Sequence, residues 1–260
     1  MKKQDILDYF DISEKVAMVI GAAGSCGSVA AKALAAAGAK VMGVTDRSVD
    51  RLKAVIKEIR EDGGEAAFLV GDITDHEAVK RMVKETVDTF GGIDILAVLS
   101  GIHREGPIVD QSLEDFQKVM DANVKGVWLI CREVGKVMIE QGRGGKVILL
   151  SSDRGDLGMS GYSIYTPSKA AVSLLAKTLG VEWGSYKINV NAIAPTIFRS
   201  ANTQFLFENE MFSREFLKRV PLGRLGEPED FIGTMIFLSS KASDFYTGSI
   251  VRPDGGYTAG

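Results

Sequence analysis

The sequence has few cysteines and no long apolar run, and each shortage excludes a class of protein. The two cysteines, Cys26 and Cys131, stand far apart, so neither a disulfide framework nor a cysteine-rich metal site is expected, and a reducing, cytoplasmic setting fits best. The most apolar window, 16–44, is interrupted by Lys32 and Lys40, which argues against a membrane span. A net charge of -3 offers no basic surplus for nucleic acid, so small molecules are the expected ligands.

The apolar residues indicate one α/β domain over residues 1–260. Apolar, β-branched runs alternate with segments of helical periodicity, and the runs are continuous, as in parallel strands buried on both faces. We therefore predict a single-domain Rossmann fold, with a doubly wound seven-stranded parallel sheet and helices on both faces. The predicted strands are 15–20, 40–45, 66–70, 93–99, 146–150, 188–193 and 249–251. The predicted helices lie near 26–37, 48–61, 75–90, 112–140, 163–183 and 228–239.

Two local features refine this prediction. Thr74 and Glu77 have the spacing of a capping box, in which Thr74 would begin the helix near residue 75. The segment 198–225 breaks the alternation of strands and helices, and its length and its many apolar side chains predict a lid over the substrate.

A tyrosine and a lysine four residues apart suggest acid–base chemistry. Tyr165 and Lys169 would share one face of a helix, and a nearby ammonium stabilises a phenolate, whose ordinary pKa is about 10. Ser152 follows the predicted strand 146–150, and Asn123 interrupts a helical segment with a side chain that needs a polar partner. Each feature alone is also typical of ordinary structure: a surface pair, a loop serine and a buried amide bonded within the protein.

Together these residues resemble the short-chain dehydrogenase/reductase family. The resemblance extends over nearly all of 15–257, and its elements occur in order and at matching separations. Those elements are Asn123, Ser152, Tyr165 and Lys169, with the tracts 71–73, 188–195 and 254–257.

The resemblance implies a reaction and four catalytic residues. Tyr165 would exchange a proton with the substrate oxygen while a nicotinamide exchanges hydride with the adjacent carbon. Ser152 would hold that oxygen, and Lys169 would lower the pKa of the tyrosine and bind the nicotinamide ribose. Asn123 would hold a water that connects Lys169 to solvent. No metal is implied.

The same resemblance implies which residues bind the cofactor. The octet 21–28 fails the G-x-G-x-x-G pattern by itself, but its place between a strand and a small-residue helix suits a pyrophosphate loop. Asp46, at the end of the second strand, would bind the ribose hydroxyls and favour NAD, whereas Arg47 beside it could instead clamp the 2′-phosphate of NADP. NAD is the expected cofactor. Its predicted contacts are Gly21, Gly24, Ser25, Cys26, Gly27, Asp46, Arg47, Asp72, Ile73, Leu99, Ser100, Gly101, Tyr165, Lys169, Pro195, Phe198 and Ser200.

Three family signatures are altered in this sequence. The tract 20–27 lacks a threonine and a glycine, 98–101 lacks two asparagines, and Thr196 replaces a glycine after Pro195. None of these changes removes a catalytic group, so an active enzyme is expected. A catalytically silent NAD-binding subunit that has kept the fold is the alternative from another class.

The substrate is the least determined property. The tract 220–230 is similar to that of gluconate 5-dehydrogenase and polyol dehydrogenases, which favours a sugar, polyol or hydroxy acid. The apolar lid favours instead an alicyclic alcohol or a 3-hydroxyacyl thioester. Tyr162, His103 and Arg154 are candidate substrate contacts; His103 could also be exposed or satisfied within the protein, and Arg154 could be a solvated loop residue. The family implies a homotetramer, with 254–260 near an interface.

Overall fold

Seven parallel strands form one sheet in the computed structural model, which describes residues 1–200, 203–208 and 210–260. The strands are β1 (Val16–Ile20), β2 (Lys40–Thr45), β3 (Ala66–Val70), β4 (Ile95–Val98), β5 (Gly145–Leu150), β6 (Ile188–Ile193) and β7 (Ile250–Val251). Their spatial order is β3-β2-β1-β4-β5-β6-β7. The predicted single α/β domain with a seven-stranded doubly wound sheet is confirmed.

The helices lie on both faces of this sheet. They are α1 (Lys3–Leu7), α2 (Ser25–Ala36), α3 (Val49–Glu61), α4 (His76–Phe90), α5 (Leu113–Met120), α6 (Gly126–Gln141), α7 (Tyr165–Glu182), α8 (Gln204–Glu208), α9 (Glu210–Leu217) and α10 (Ile232–Ser239). None of the helices in the described ranges is long and apolar enough to cross a membrane.

Two apolar clusters explain why the strand sequences are continuous rather than alternating. Met18 and Ile20 of β1 pack with α4, α6 and α7 on one face, whereas Ala17 and Val19 pack with α2, α3 and α10 on the other. Because successive side chains of a strand point to opposite faces, a sheet covered on both sides needs apolar residues at every position.

The structure corrects two local predictions. The carboxylate of Asp75, not the hydroxyl of Thr74, caps α4, and it accepts hydrogen bonds from the backbone of Glu77 at 2.9 Å and of Ala78 at 3.2 Å. The predicted helix 112–140 is interrupted by a π-helical turn at Asp121–Lys125. Such turns often occur at functional sites.

The predicted lid, 198–225, contains α8 and α9, which periodicity did not reveal. Residues 201, 202 and 209 of that segment lie outside the described residues. Two contacts hold this segment to the rest of the protein: Phe198 forms a bridge with Gly226, and Phe216 belongs to a small apolar cluster with Val220 and Tyr257.

The strand order places the candidate site. The chain leaves β1 toward β2 on one side and returns to β4 on the other, so the first and second halves of the sheet diverge between β1 and β4. Crevices of this kind, at the carboxyl ends of the strands, are where open α/β sheets bind ligands.

Candidate active site

The loop after β1 is shaped by two glycines. Gly21 has a left-handed φ of 83°, and a Cβ there would lie 2.9 Å from the backbone nitrogen of Ser100. A Cβ at Gly27 would lie 2.0 Å from the carbonyl oxygen of Gly21, so α2 can approach the loop only with glycine at this position. The altered position Ser25 is the first residue of α2 and keeps a negative φ, as the substitution requires.

Gly24 and Cys26 complete this loop. Gly24 is the N-cap of α2, and no side chain in the described residues accepts hydrogen bonds from the first backbone N–H groups of the helix. Free N–H groups at a helix N-terminus suit a phosphate. Burial, together with the charge of Glu229, raises the pKa of Cys26 to about 11, so its thiol is neutral at pH 7.

The second and third strands end in acidic residues that have different surroundings. Asp46 is exposed and accepts a hydrogen bond of 2.8 Å from Arg47 Nε, so the two side chains are paired with each other. Asp72 is also exposed and accepts a backbone hydrogen bond from Thr74 at 2.8 Å, which is the turn-forming role of an aspartate. Ile73 is buried in the apolar core.

The tract after β4 brings main chain close to the catalytic candidates. Leu99, which stands where the family has an asparagine, is an apolar side chain buried in the core. Ser100 Oγ is buried and has no hydrogen-bond partner among the described residues. A Cβ at Gly101 would lie 3.1 Å from Lys169 Nζ and 3.3 Å from Asn123 Oδ1, so glycine leaves the space in front of both polar groups open.

Three predicted cofactor contacts follow β6, and each of them interacts with another residue of the protein. The carbonyl of Pro195 accepts a hydrogen bond of 3.0 Å from the backbone of Asp153. The ring of Phe198 is buried against Phe231, with 5.8 Å between centroids, so a cofactor contact there would have to use main chain. Ser200 Oγ lies 2.9 Å from the Thr203 hydroxyl.

Tyr165 begins α7, and Lys169 lies one turn further on, as predicted from their spacing. Lys169 is buried, with 2% of its surface exposed, and its Nζ donates to the carbonyl of Leu150 at 2.8 Å. The same nitrogen lies 5.7 Å from the centroid of the Tyr165 ring. The ammonium therefore stands beside the tyrosine without forming a hydrogen bond to it.

The pKa of the tyrosine differs from the sequence-based expectation. Burial raises the pKa of Tyr165 to about 12, and the nearby hydroxyl of Ser152 opposes this rise only in part. Burial also lowers the pKa of Lys169 to about 8. Desolvation of the phenol is the largest influence on the pKa of Tyr165, and it outweighs any stabilisation of the phenolate by the Lys169 ammonium. At neutral pH Tyr165 is protonated and Lys169 mostly charged.

Asn123 lies in the π-helical turn and is fully buried. Its Nδ2 donates to the carbonyl of Ile102 at 2.8 Å and to Ser168 Oγ at 3.0 Å, and its Oδ1 accepts from the backbone of Ile102 at 2.9 Å. The amide thus connects the loop after β4 to α7. The predicted water would have to use the second lone pair of Oδ1 or main chain, since both amide protons are engaged.

Two candidate substrate contacts pack against Tyr165, the candidate proton donor. The rings of His103 and Tyr162 each meet Tyr165 edge to face, with centroid distances of 6.1 Å and 6.0 Å. His103 is partly buried in this cluster. Burial and the charge of Glu105 raise the pKa of Tyr162, so it too is a neutral phenol at pH 7.

Arg154 is a buried residue and not a solvated loop arginine. Only 8% of its surface is exposed, and its Nη2 lies 3.1 Å from Asp153 Oδ2 and donates to the Tyr257 hydroxyl at 2.8 Å. Its charge is therefore already paired within the protein. An anionic substrate would have to compete with Asp153 for it.

Sequence reasoning missed three residues around Ser152. They are Asp153, Thr196 and Tyr257, which contact one another or Arg154 beneath the site. The available signals were weak: Asp153 directly follows the candidate serine, and Thr196 and Tyr257 lie in tracts noted for other reasons. No cluster of metal-ligating side chains occurs within the parts of the chain that the structure describes.

Comparisons with known proteins reveal likeness along nearly the whole chain. A family model described as enoyl-(acyl carrier protein) reductase matches residues 21–258. An uncharacterized oxidoreductase of Mycobacterium tuberculosis is 45% identical over 255 residues, which cover 96% of this chain and 93% of that one. Gluconate 5-dehydrogenase of Gluconobacter oxydans is 35% identical over 251 residues, with coverages of 96% and 97%.

A solved structure extends this likeness to three dimensions. The crystal structure of a gluconate 5-dehydrogenase from Burkholderia cenocepacia, in complex with NADP and tartrate, superposes with a TM-score of 0.93. It is 32% identical and covers 98% of this chain and 99% of its own.

Proposed function

The chain belongs to the short-chain dehydrogenase/reductase family, and from this premise we propose that it interconverts a secondary alcohol and a ketone with a pyridine nucleotide. The observation that carries the proposal is the group at the carboxyl ends of the strands: Tyr165 and Lys169 on one face of α7, with Ser152 beside them. Tyr165 would supply a proton donor, Lys169 a cation and Ser152 a hydroxyl at the same site.

The residues fit a dinucleotide. Gly21 and Gly27 let the loop after β1, the start of α2 and the main chain at Ser100 pack closely into a cradle. Among the described residues, no side chain caps the N-terminus of α2, and the buried hydroxyl of Ser100 has no hydrogen-bond partner. The cradle would hold the pyrophosphate, Asp46 the adenosine ribose, and Lys169 the nicotinamide ribose. When bound, the nicotinamide supplies hydride chemistry.

The chain's own residues would handle the proton. Tyr165, protonated at neutral pH, is suited to donate its proton to a ketone oxygen during reduction. In the opposite direction the phenolate must be stabilised by positive charge, which the Lys169 ammonium and an oxidised cofactor would provide. Ser152 would hold the reacting oxygen, and the rings of His103 and Tyr162 would limit the space around it.

We propose NAD as the preferred cofactor because Asp46 ends β2 and would repel a 2′-phosphate. The pair with Arg47, and the NADP in the Burkholderia cenocepacia complex, favour the opposite choice. Comparing kcat/KM for the two cofactors in the wild type and in Asp46→Ala and Arg47→Ala decides between them. Preference for NAD that is lost in Asp46→Ala supports the proposal; preference for NADP that is lost in Arg47→Ala contradicts it.

A sugar acid, polyol or hydroxy acid is the proposed substrate. The likeness to gluconate 5-dehydrogenase and the hydroxy acid bound in its Burkholderia cenocepacia relative support this class. An alicyclic or 3-hydroxyacyl substrate is the second candidate. The acyl-carrier description of the matching family model favours it, as do the apolar side chains of Phe198 and Phe216 in the proposed lid.

We further propose a cytoplasmic homotetramer that uses α6, α7 and the C-terminal segment. Trp128 on α6 and Leu174 on α7 expose 48% and 64% of their surfaces, and they line a single apolar hollow between the helices. Light scattering after size-exclusion chromatography should give four chains for the wild type and fewer for Leu174→Glu. A monomeric wild type would contradict this proposal.

The test of the reaction is a substrate panel. NADH fluorescence first measures cofactor binding, and sugar acids, polyols, cyclic alcohols and hydroxyacyl thioesters are then assayed for cofactor reduction. Turnover of a sugar acid or polyol is the expected result. Cofactor binding without turnover of any alcohol or ketone would instead favour a catalytically silent subunit.

A further inference from the structure

Asp153 is a buried carboxylate that receives three hydrogen bonds from side chains beneath the site. Its exposed fraction is 3%, and its Oδ1 accepts from Ser152 Oγ at 2.9 Å. Its Oδ2 accepts from the Thr196 hydroxyl at 3.0 Å and from Arg154 Nη2 at 3.1 Å. A buried charge is tolerated when it is paired and bonded in this way.

The hydroxyl of Ser152 has limited hydrogen-bonding capacity. A serine donates one hydrogen bond and accepts two. Ser152 gives its proton to Asp153, and it accepts one bond from the backbone of Arg154 at 3.1 Å. A carboxylate is a stronger acceptor than a neutral carbonyl oxygen, so the proton stays with Asp153 when a ketone is the competitor. What remains for the site is one lone pair of Ser152 Oγ.

We propose that Asp153 is a positioning residue that turns the Ser152 hydroxyl into a hydrogen-bond acceptor toward the reacting oxygen. This inference rests on the proposed alcohol–ketone reaction. An alcohol substrate can donate its proton to the free lone pair of Ser152, whereas a ketone has no proton to offer. The arrangement therefore favours binding of the alcohol over binding of the ketone.

Thr196 and Arg154 hold Asp153 in this orientation. Thr196 stands where the family has glycine, and its hydroxyl supplies one of the two bonds to Oδ2. Arg154 supplies the other and is itself held by the Tyr257 hydroxyl, whose ring stacks on Phe216 at 4.9 Å. The altered position 196 and the buried pair 153–154 thus form one network.

The same carboxylate acts on the catalytic tyrosine. Because Asp153 takes the Ser152 proton, that proton is less available to a Tyr165 phenolate, and the negative charge of Asp153 also disfavours the phenolate. Both effects act in the same direction, whereas Arg154 opposes them. The titratable or charged side chains around Tyr165 are those of Asp153 and Arg154 after β5, His103 after β4, Tyr162 before α7, and Lys169 on α7 itself.

The test is Asp153→Asn, which keeps the shape of the side chain and removes its charge. An amide holds the Ser152 proton less strongly, so KM for the ketone should fall relative to KM for the alcohol by about fivefold, the effect of one net hydrogen bond. Since the overall equilibrium constant is unchanged, kcat must compensate. Asp156→Asn is the matched control: Asp156 lies three residues further on and pairs with Arg252 at the surface, and its loss should leave the KM ratio unchanged.

A second measurement needs no substrate. Tyrosine labelled with ¹³C at the ζ carbon reports ionisation, and Tyr165→Phe identifies the signal of Tyr165. In Asp153→Asn the pKa of Tyr165 should fall by about one unit, and in Asp156→Asn it should not move. Loss of the Asp153 charge by itself would also lower this pKa, so the titration tests the electrostatic effect of Asp153 on Tyr165, and the KM ratio tests the orientation of the Ser152 hydroxyl.

The outcomes separate this inference from the proposed function. An Asp153→Asn protein that is folded by circular dichroism, with an unchanged tyrosine titration and an unchanged KM ratio, would overturn the inference. If the wild type turns over no alcohol or ketone, the proposed function fails, and an unchanged titration would then refute the positioning role by itself. Should Asp153→Asn fail to fold, Thr196→Val and Asp153→Glu provide the same measurements with the buried charge retained. An unchanged KM ratio and titration in both would overturn the inference.

Discussion

The loop after β1 and the turn after β5 lie at the same edge of the sheet, but they are built differently. Main chain shapes the first: Gly21 adopts a left-handed conformation, and Gly27 lets α2 approach the loop. Buried side chains shape the second, where Ser152, Asp153 and Arg154 bond to one another. A main-chain site tolerates altered side chains provided that the glycines remain, whereas a side-chain network depends on each partner.

The variant with the largest expected effect should lose turnover, which we assign to the region of the turn after β5, and keep the cofactor affinity that we assign to the loop after β1. Tyr165→Phe removes the proposed proton donor, so kcat should fall by roughly 10²- to 10⁴-fold, the usual contribution of a general acid. NADH affinity, measured by fluorescence, should stay within about twofold. Tyr186→Phe, an exposed tyrosine beyond α7, is the control. Near-normal turnover by Tyr165→Phe would refute the role assigned to this residue.

Gly27→Ala changes the loop after β1 and should weaken cofactor binding. The added Cβ would lie 2.0 Å from the carbonyl oxygen of Gly21, so α2 must shift away from the loop. We expect the dissociation constant for NADH to rise at least about tenfold, with a loss of about 1–3 kcal/mol in the free energy of unfolding from the forced displacement. At Gly184 an added Cβ meets nothing within 4 Å, and Gly184→Ala is the matched control. Unchanged affinity in Gly27→Ala would show that the cradle does not hold the cofactor.

The burial of Lys169 can be tested through the pH dependence of the free energy of unfolding. Burial lowers its pKa to about 8 from an ordinary 10.5, so the unfolded chain binds more protons than the folded chain between these values. The free energy of unfolding of the wild type should therefore rise with pH across this window relative to Lys169→Met, by about 3 kcal/mol in total. Urea unfolding at pH 7, 8, 9 and 10 measures the difference, with the exposed Lys177→Met as control. A pH-independent difference would mean that Lys169 is better solvated than its burial indicates.

Ser25→Gly should have the smallest effect and sharpens the main-chain side of the comparison. Ser25 is the first residue of α2, is partly exposed and keeps a negative φ, so glycine is not required there. We expect NAD binding to weaken by no more than about fivefold, since glycine makes the start of the helix less rigid. Much tighter binding in the variant, measured by titration, would indicate instead that the serine crowds the pyrophosphate.

Much of the fold could be predicted because local patterns are strong. All seven strands were placed within two residues of their observed ends, since each is a continuous apolar run between turns. The π-helical turn around Asn123 was not predicted, because its altered hydrogen bonding depends on contacts with Ile102 and Ser168 that are distant in sequence. The cap of α4 was misplaced by one residue, since Thr74 and Asp75 are both good capping residues.

Sequence spacing predicted which residues of the candidate site share one helix. It could not predict the buried side chains that contact one another beneath the site. Tyr165 and Lys169 stand one turn apart on α7, as four-residue spacing requires. The pairing of Arg154 with Asp153 and Tyr257 was not foreseen, because it joins a turn to the chain terminus about a hundred residues away. A charge in a loop is usually solvated, and only packing revealed that this one is buried.

The sequence by itself determined the sheet, the glycine loop and the one-turn spacing of Tyr165 and Lys169, because these depend on periodicity, on residues without a Cβ and on short spacings along one element. The tertiary structure alone decided the electrostatics. Desolvation raises the pKa of Tyr165 and lowers that of Lys169, and the buried Asp153 takes the Ser152 proton. These properties depend on how completely water is excluded and on which distant groups replace it, and no local pattern of residues encodes either quantity.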